Sequence, residues 1–239
     1  MKKIVLFLMV SIIALGSSIA QEEEKGHPER VLISLPGGYM YKITVGDGLK
    51  IPESKLEGTP YLWDSYKSGK LLLKENKLIK NFEFNYNVYN NRIEFKKNGE
   101  LMAIDDPSKI DMIVYDQNKV LEYKKYRNKK NSTKAAFMRL LVDGKVKLYK
   151  KFECQLLEPN YNEALMVGDK DYQLKHGHSF YMQKDEGVLN KIKVRKRKIL
   201  KYLGDKKNEV RQFIKENNLD VDKEYDLQKI FIFYNNLGK

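Results

Sequence analysis

Phe82, Phe84, Tyr86 and Val88 alternate with Glu83, Asn85, Asn87 and Tyr89, the period of two that marks a strand with one buried face. The alternation resumes twice before Ile104, so residues 82–104, FEFNYNVYNNRIEFKKNGELMAI, read as three antiparallel strands. Their reversals fall at Asn90-Asn91 and Asn98-Gly99, which tolerate the positive φ of two-residue type I′ turns. Such turns set Val88 against Ile93, Tyr86 against Phe95, Phe95 against Met102 and Ile93 against Ile104, all on one face. A slip of one residue would bring Glu94 or Lys96 among them. The opposite face presents Asn85, Asn87, Arg92, Glu94 and Lys96, a surface for a partner if nothing covers it.

The same reading extends along the chain. Residues 31–35 and 39–45 form a short accessory hairpin around Pro36-Gly37-Gly38, and a loop-rich connector runs to Pro60. Tyr61, Trp63 and Tyr66 are dense enough for a binding surface, but core packing is their commoner use. Strands follow at 71–74 and 78–89 around Glu75-Asn76, then at 110–115 and 120–127 around Asp116-Gln117-Asn118, with a turn forced by Pro107 between them. Residues 124–134 form a basic surface loop. Residues 135–142 and 145–157 pair around Asp143-Gly144, where a three-residue loop sets Leu140 against Leu148 and Val142 against Val146. A loop at 158–168 precedes closing strands at 172–183 and 188–194.

Near Val194 the apolar spacing changes from two to helical. Ile199, Leu200 and Leu203, then Val210, Phe213 and Ile214, then Leu227, Ile230, Phe231 and Tyr234 mark three short amphipathic helices. Gly204 ends the first, Asp205 caps the second and Asp222 the third. The expected fold is mainly β: an antiparallel meander forming a sandwich or open barrel, closed by a small C-terminal helical cap. The organisation is a signal peptide at 1–20, an N-terminal hairpin and connector at 21–60, an antiparallel β domain at 61–193 and a helical cap at 194–239 packed on it.

The signal peptide rests on Lys2 and Lys3, the apolar run 4–15 and the small residues of Ser18-Ile19-Ala20, with cleavage near Ala20. As a membrane anchor the run falls short of the ~20 residues a bilayer needs, and no later segment could span one. The mature chain is then exported, periplasmic or extracellular. Its one cysteine, Cys154, lies too far from the cleavage region to carry a lipid anchor and has no internal disulfide partner. It reads as a small buried apolar side chain: no histidine lies near it in sequence to activate it, and none can be set beside it.

The formal charge is +13, and loss of Lys2 and Lys3 leaves +11. For an exported chain the anions at hand are lipid head groups and acidic polysaccharides rather than nucleic acid. Residues 191–201, KIKVRKRKILK, concentrate this charge as Lys191, Lys193, Arg195, Lys196, Arg197, Lys198 and Lys201, with no acid. They form an anionic-surface candidate, set against a plainly solvated helix face. His176 and His178 are weak metal candidates, since residues two apart on a strand share a face; they would need carboxylates such as Asp169, Asp171 or Asp185. No phosphate loop, nucleophile elbow, His-Glu-x-x-His or dinucleotide fingerprint occurs, so no cofactor is expected.

The succession GTPYLWDSYKSGKLLL, FNYNVYNNRIEFKKNGE, LLVDGKVKLYKKF and LGDKKNEVRQFIKENNLDVDKEYDLQKIFIFYNNL resembles uncharacterised exported proteins of Bacteroidota-type bacteria. The resemblance covers residues 58–237 and implies a shape without implying catalytic residues. The leading expectation is a non-enzymatic envelope protein that binds a partner protein or an anionic surface polymer or lipid. The alternative is an envelope glycan or lipid hydrolase with its site on the open sheet face.

Overall fold

The computed structural model describes residues 33–35, 38–42, 51–128 and 130–237; the signal-peptide segment lies outside them. The described chain is mainly β, one open mixed sheet, largely antiparallel, with three C-terminal helices. The strands are β1 (Ile33–Leu35), β2 (Gly38–Lys42), β3 (Leu56–Glu57), β4 (Lys67–Leu73), β5 (Leu78–Asn87), β6 (Arg92–Lys97) and β7 (Glu100–Ile104). They continue as β8 (Ile110–Tyr115), β9 (Lys119–Arg127), β10 (Thr133–Val142), β11 (Val146–Leu157), β12 (Tyr172–Lys184) and β13 (Asn190–Lys191). The strand order is β1-β2-β7-β6-β5-β4-β8-β9-β10-β11-β12-β13, with β3 added in parallel to β12. The N-terminal hairpin is therefore the edge of the main sheet, since Met40, Tyr41 and Lys42 pair with Ile104, Ala103 and Met102.

The connection between β7 and β8 forces curvature. These strands lie four ladder positions apart, ~19 Å on a flat sheet, about the full reach of the six steps from Ile104 to Ile110. Pro107–Lys109 is moreover wound into a 3-10 turn, held by Asp106 Oδ1, which accepts from the Ser108 N–H at 3.0 Å and its hydroxyl at 2.5 Å. The chain can make that link only if the sheet curls. Inside the curl lie Phe84, Tyr86, Ile93, Met102, Ile113, Leu121 and Phe137. Trp63 packs edge-on against Phe84 and Tyr115 at the border.

The second half curls the other way. Met138, next to Phe137, points to the opposite face and joins Tyr126, Tyr149, Tyr181 and Leu189 in a separate core. Leu189 closes this side by bridging to Tyr126: the Arg127 N–H donates to the Leu189 carbonyl at 2.9 Å, and the Leu189 N–H to that of Lys125 at 3.3 Å. β10 is the strand at which the curvature reverses, because successive residues of a strand face opposite sides.

Helices α1 (Lys196–Tyr202), α2 (Lys207–Glu216) and α3 (Glu224–Asn236) cover Val142, Leu148, Phe180 and Met182 with the apolar stripes expected of them, including Ile199, Leu203, Val210, Ile214, Ile230 and Phe231. Arg139 and Lys150 both pair with Glu224 in the first turn of α3, the latter at 2.7 Å. The caps differ from expectation. Neither α2 nor α3 has a side-chain N-cap bond: the Asp205 carboxylate instead accepts from the Tyr234 hydroxyl at 2.9 Å, and the Asp222 N–H is itself bound by Asp220.

Two hairpins differ from expectation in register. The turn at Asn98-Gly99 forms as expected, with positive φ at both residues and Phe95 opposite Met102. At the first turn Tyr86 faces Ile93 and Phe84 faces Phe95, two residues from the expected pairing. Only Asn91 of the pair has positive φ. The link is a four-residue loop in which the Asn90 N–H donates to the Asn87 side chain and the Val88 N–H leaves the hairpin for the Pro60 carbonyl. A shift of two keeps every residue on its face, so Tyr86, Val88, Ile93, Phe95 and Met102 are still buried. In the β10–β11 hairpin, Leu140 faces Tyr149 and Val142 faces Leu148 around a bulge at Leu141. Asn235 of α3 accepts from the Val146 N–H and donates to the Val146 carbonyl, both at 2.9 Å, which removes Val146 from pairing with Val142.

Candidate functional site

α1 and α2 present a groove of about 1060 Å³ lined by Arg195, Lys196, Arg197, Lys198 and Lys201 from α1 and its approach, and by Lys207 and Arg211 from α2. The local sequence explains this. Ile199, Leu200 and Leu203 anchor α1 by one stripe, so its bases are left on the outer side. On α2 Lys207 and Arg211 are four apart and share a face, while Val210 and Ile214 turn inward. All seven cations are exposed, no acid lines the groove, and among the described residues none of the seven forms an ion pair. Seven like charges around one concavity repel each other and attract a multivalent anion. Arginine adds forked donors that match a phosphate or carboxylate.

Five of the seven expected anion-binding residues thus come together. Lys191 lies elsewhere, lining an opening between β10 and β11, and Lys193 is exposed outside the groove while its N–H faces the Tyr202 hydroxyl at 3.4 Å. Lys207 and Arg211 were missed. Their four-residue spacing was legible, but their proximity to α1 depends on the turn at Gly204–Lys206.

His176 and His178 sit on β12 and share a face, as their spacing required, opposite Cys154 and Phe152. The His176 ring Nε2 lies 2.7 Å from the Thr59 carbonyl, and His178 packs edge-on against Phe180. Burial and the neighbouring Lys150 ammonium hold His178 below its ordinary value. Among the described residues no three His, Cys, Asp or Glu side chains gather as a metal set. The ladder corrects the expectation for Cys154: a histidine does stand beside it, because β11 and β12 pair with Cys154 opposite His176. Burial nevertheless pushes the thiol up, the opposite of what activates a nucleophile.

The polar face of the central hairpin is closed over Asn85, Asn87 and Glu94, and of its five residues only Lys96 is exposed. Asn85, Asn87 and Glu94 are all buried, Glu94 completely. Residues 60–66 run alongside the end of β5, where the Leu62 N–H donates to the Tyr86 carbonyl and Asn85 donates to the Trp63 carbonyl at 2.8 Å. This brings the Tyr61 hydroxyl to Glu94 Oε2 at 2.7 Å, while Asn87 and Arg92 donate to Glu94 Oε1 at 2.8 and 2.5 Å. Burial first, then the bond to Glu94, pushes the Tyr61 hydroxyl up. The cluster is an internally satisfied seal.

Comparison with protein-family models, with curated proteins and with solved structures finds no match to this chain. No described helix is long and apolar enough to cross a membrane.

Proposed function

We propose that this is an exported, non-enzymatic protein of the cell envelope, of the kind its resemblance suggests, that holds an anionic lipid or polysaccharide in the α1–α2 groove. The reading is carried by one observation: seven exposed cations converge on a single concavity that no acid lines. Charges kept close without counter-ions cost stability through mutual repulsion, and an anionic ligand relieves that cost on binding. The supporting core keeps α1 and α2 in place, so the groove is preorganised rather than assembled by the ligand.

Co-sedimentation with vesicles tests it. The protein is expected to pellet with phosphatidylglycerol vesicles, to remain in solution with phosphatidylcholine vesicles, and to be released by salt as the Debye length shrinks to ~3 Å near 1 M. A variant carrying Arg195→Gln, Arg197→Gln, Lys201→Gln and Arg211→Gln is expected to stay in solution. Acidic polysaccharide immobilised on a column separates the two ligand sources. Equal retention of the variant on both supports overturns the reading.

A further inference from the structure

The far end of the sheet carries two features that fit each other. β10 and β11 pair only where residues 138–142 meet 148–151; towards the other end they diverge. The opening between them has a volume of about 750 Å³, within the range of ligand pockets, roughly 300–1,000 Å³. Asn91, from the loop between β5 and β6, holds the free edge of β10 in place: its carboxamide donates to the Ala135 carbonyl at 3.1 Å and accepts from the Phe137 N–H at 3.2 Å. The walls offer Tyr89 and Phe152, neither of them fully buried, and the rim carries Lys130, Lys134, Lys151 and Lys191 against one acid, Glu153.

The loop from β11 to β12 has the opposite character. Leu165, Met166 and Val167 are 68, 81 and 56% exposed, three consecutive apolar side chains turned to water. They are held there. The Asn162 N–H donates to the Val167 carbonyl at 2.8 Å, the Leu165 N–H to the Asn162 side chain at 3.1 Å, and the Asp169 N–H to the Asn160 side chain at 2.7 Å. Met166 stands at a φ of 52°, a region that L side chains enter at a cost. At Gly168, φ 100°, a Cβ would come within 2.6 Å of the Asn160 carbonyl, so only glycine closes the loop. Glu158, Glu163, Asp169 and Asp171 flank the apolar tip against the single Lys170, in a chain that is otherwise strongly basic. A preorganised apolar finger with an acidic collar is the shape of an interface anchor.

We propose that the Leu165–Met166–Val167 finger of one copy enters the β10–β11 opening of a second copy, and that the exchange is reciprocal. The collar has net charge −3 over residues 158–171 and the opening's five charged residues sum to +3, so the two surfaces attract. Lys151 is engaged within its own copy, over the Tyr126 ring at 5.4 Å and paired with Glu153 at 3.3 Å, so the exposed Lys130 and Lys134 are the cations that receive Glu163 or Asp169 of the second copy. A two-fold pair makes each contact twice, and the proposal is independent of the basic groove, which lies at the other end of β11 near Val146.

Sedimentation of the full chain tests it. The native protein is expected to show a concentration-dependent monomer–dimer equilibrium that salt weakens. Met166→Asp, at an exposed position, and the double variant Lys130→Glu with Lys134→Glu, both exposed, are each expected to weaken association at least ~10-fold while melting like the native chain. An equimolar mixture of the two variants is expected to associate again, because the intact finger of the lysine variant fits the intact opening of the methionine variant. Three outcomes overturn the proposal: a monomer at every concentration up to millimolar, association unchanged in either variant, or a mixture no more associated than its components.

Discussion

Glu94 and the α1–α2 groove treat charge in opposite ways. Glu94 is fully buried and each oxygen is bonded, to Tyr61, Asn87 and Arg92; the groove collects seven exposed cations and leaves them without counter-ions among the described residues. A charge withdrawn from water must be satisfied by its own protein, since the desolvation cost is several kcal/mol. A charge left in water faces no such demand. Polar groups satisfied internally therefore point to architecture, and polar groups gathered without partners point outward to a ligand.

That contrast can be broken most severely at Glu94. Glu94→Leu removes the common acceptor of three donors and is expected to cost about 3–5 kcal/mol, seen as a lower denaturant midpoint; a variant as stable as the native chain would show the network contributes nothing. Tyr61→Phe keeps the ring but removes one bond to a charged acceptor. Its expected cost is about 1.5–3 kcal/mol by the same assay. Alkaline pH acts on buried hydroxyls throughout the fold. Burial raises Tyr115, Tyr181 and Tyr234 from their ordinary 10.0 to about 12, with the Asp205 carboxylate adding to the effect at Tyr234. A raised tyrosine favours the folded state while it stays neutral. Its contribution is complete below about pH 10 and lost as pH rises through about 12. The thermal midpoint should fall across that window as phenolate absorbance grows. The smallest effect on stability is expected at the groove, where neutralising Arg195, Arg197, Lys201 and Arg211 should shift unfolding by no more than about 0.5 kcal/mol while abolishing vesicle binding. A large loss of stability there would make those cations structural and erase the contrast.

The corrections share a pattern. Shifting the first hairpin by two exchanges Val88 for Tyr86 opposite Ile93, and both are apolar, so side-chain parity could not separate the two registers. The deciding contacts came from Pro60 and Tyr61, nearly 30 positions upstream of the turn. In the β10–β11 hairpin the deciding residue was Asn235, near the other end of the chain. The candidate site was half legible: the basic run of α1 stands out in the sequence, whereas Lys207 and Arg211 join it only through a tertiary turn.

By itself the sequence determined most of the strands, the three C-terminal helices with their apolar stripes, and how the Asn98-Gly99 hairpin pairs. Those properties follow from periodicity and turn chemistry within a few residues. The strand expected at 188–194, by contrast, shrinks to Asn190–Lys191, and the loop expected at 124–134 begins and ends in strand. The tertiary structure alone decided the reversal of curvature at β10, the burial of Glu94 and the gathering of cations between α1 and α2. Each of these depends on which distant segments come to lie side by side, and a local pattern of polar and apolar residues carries no record of that.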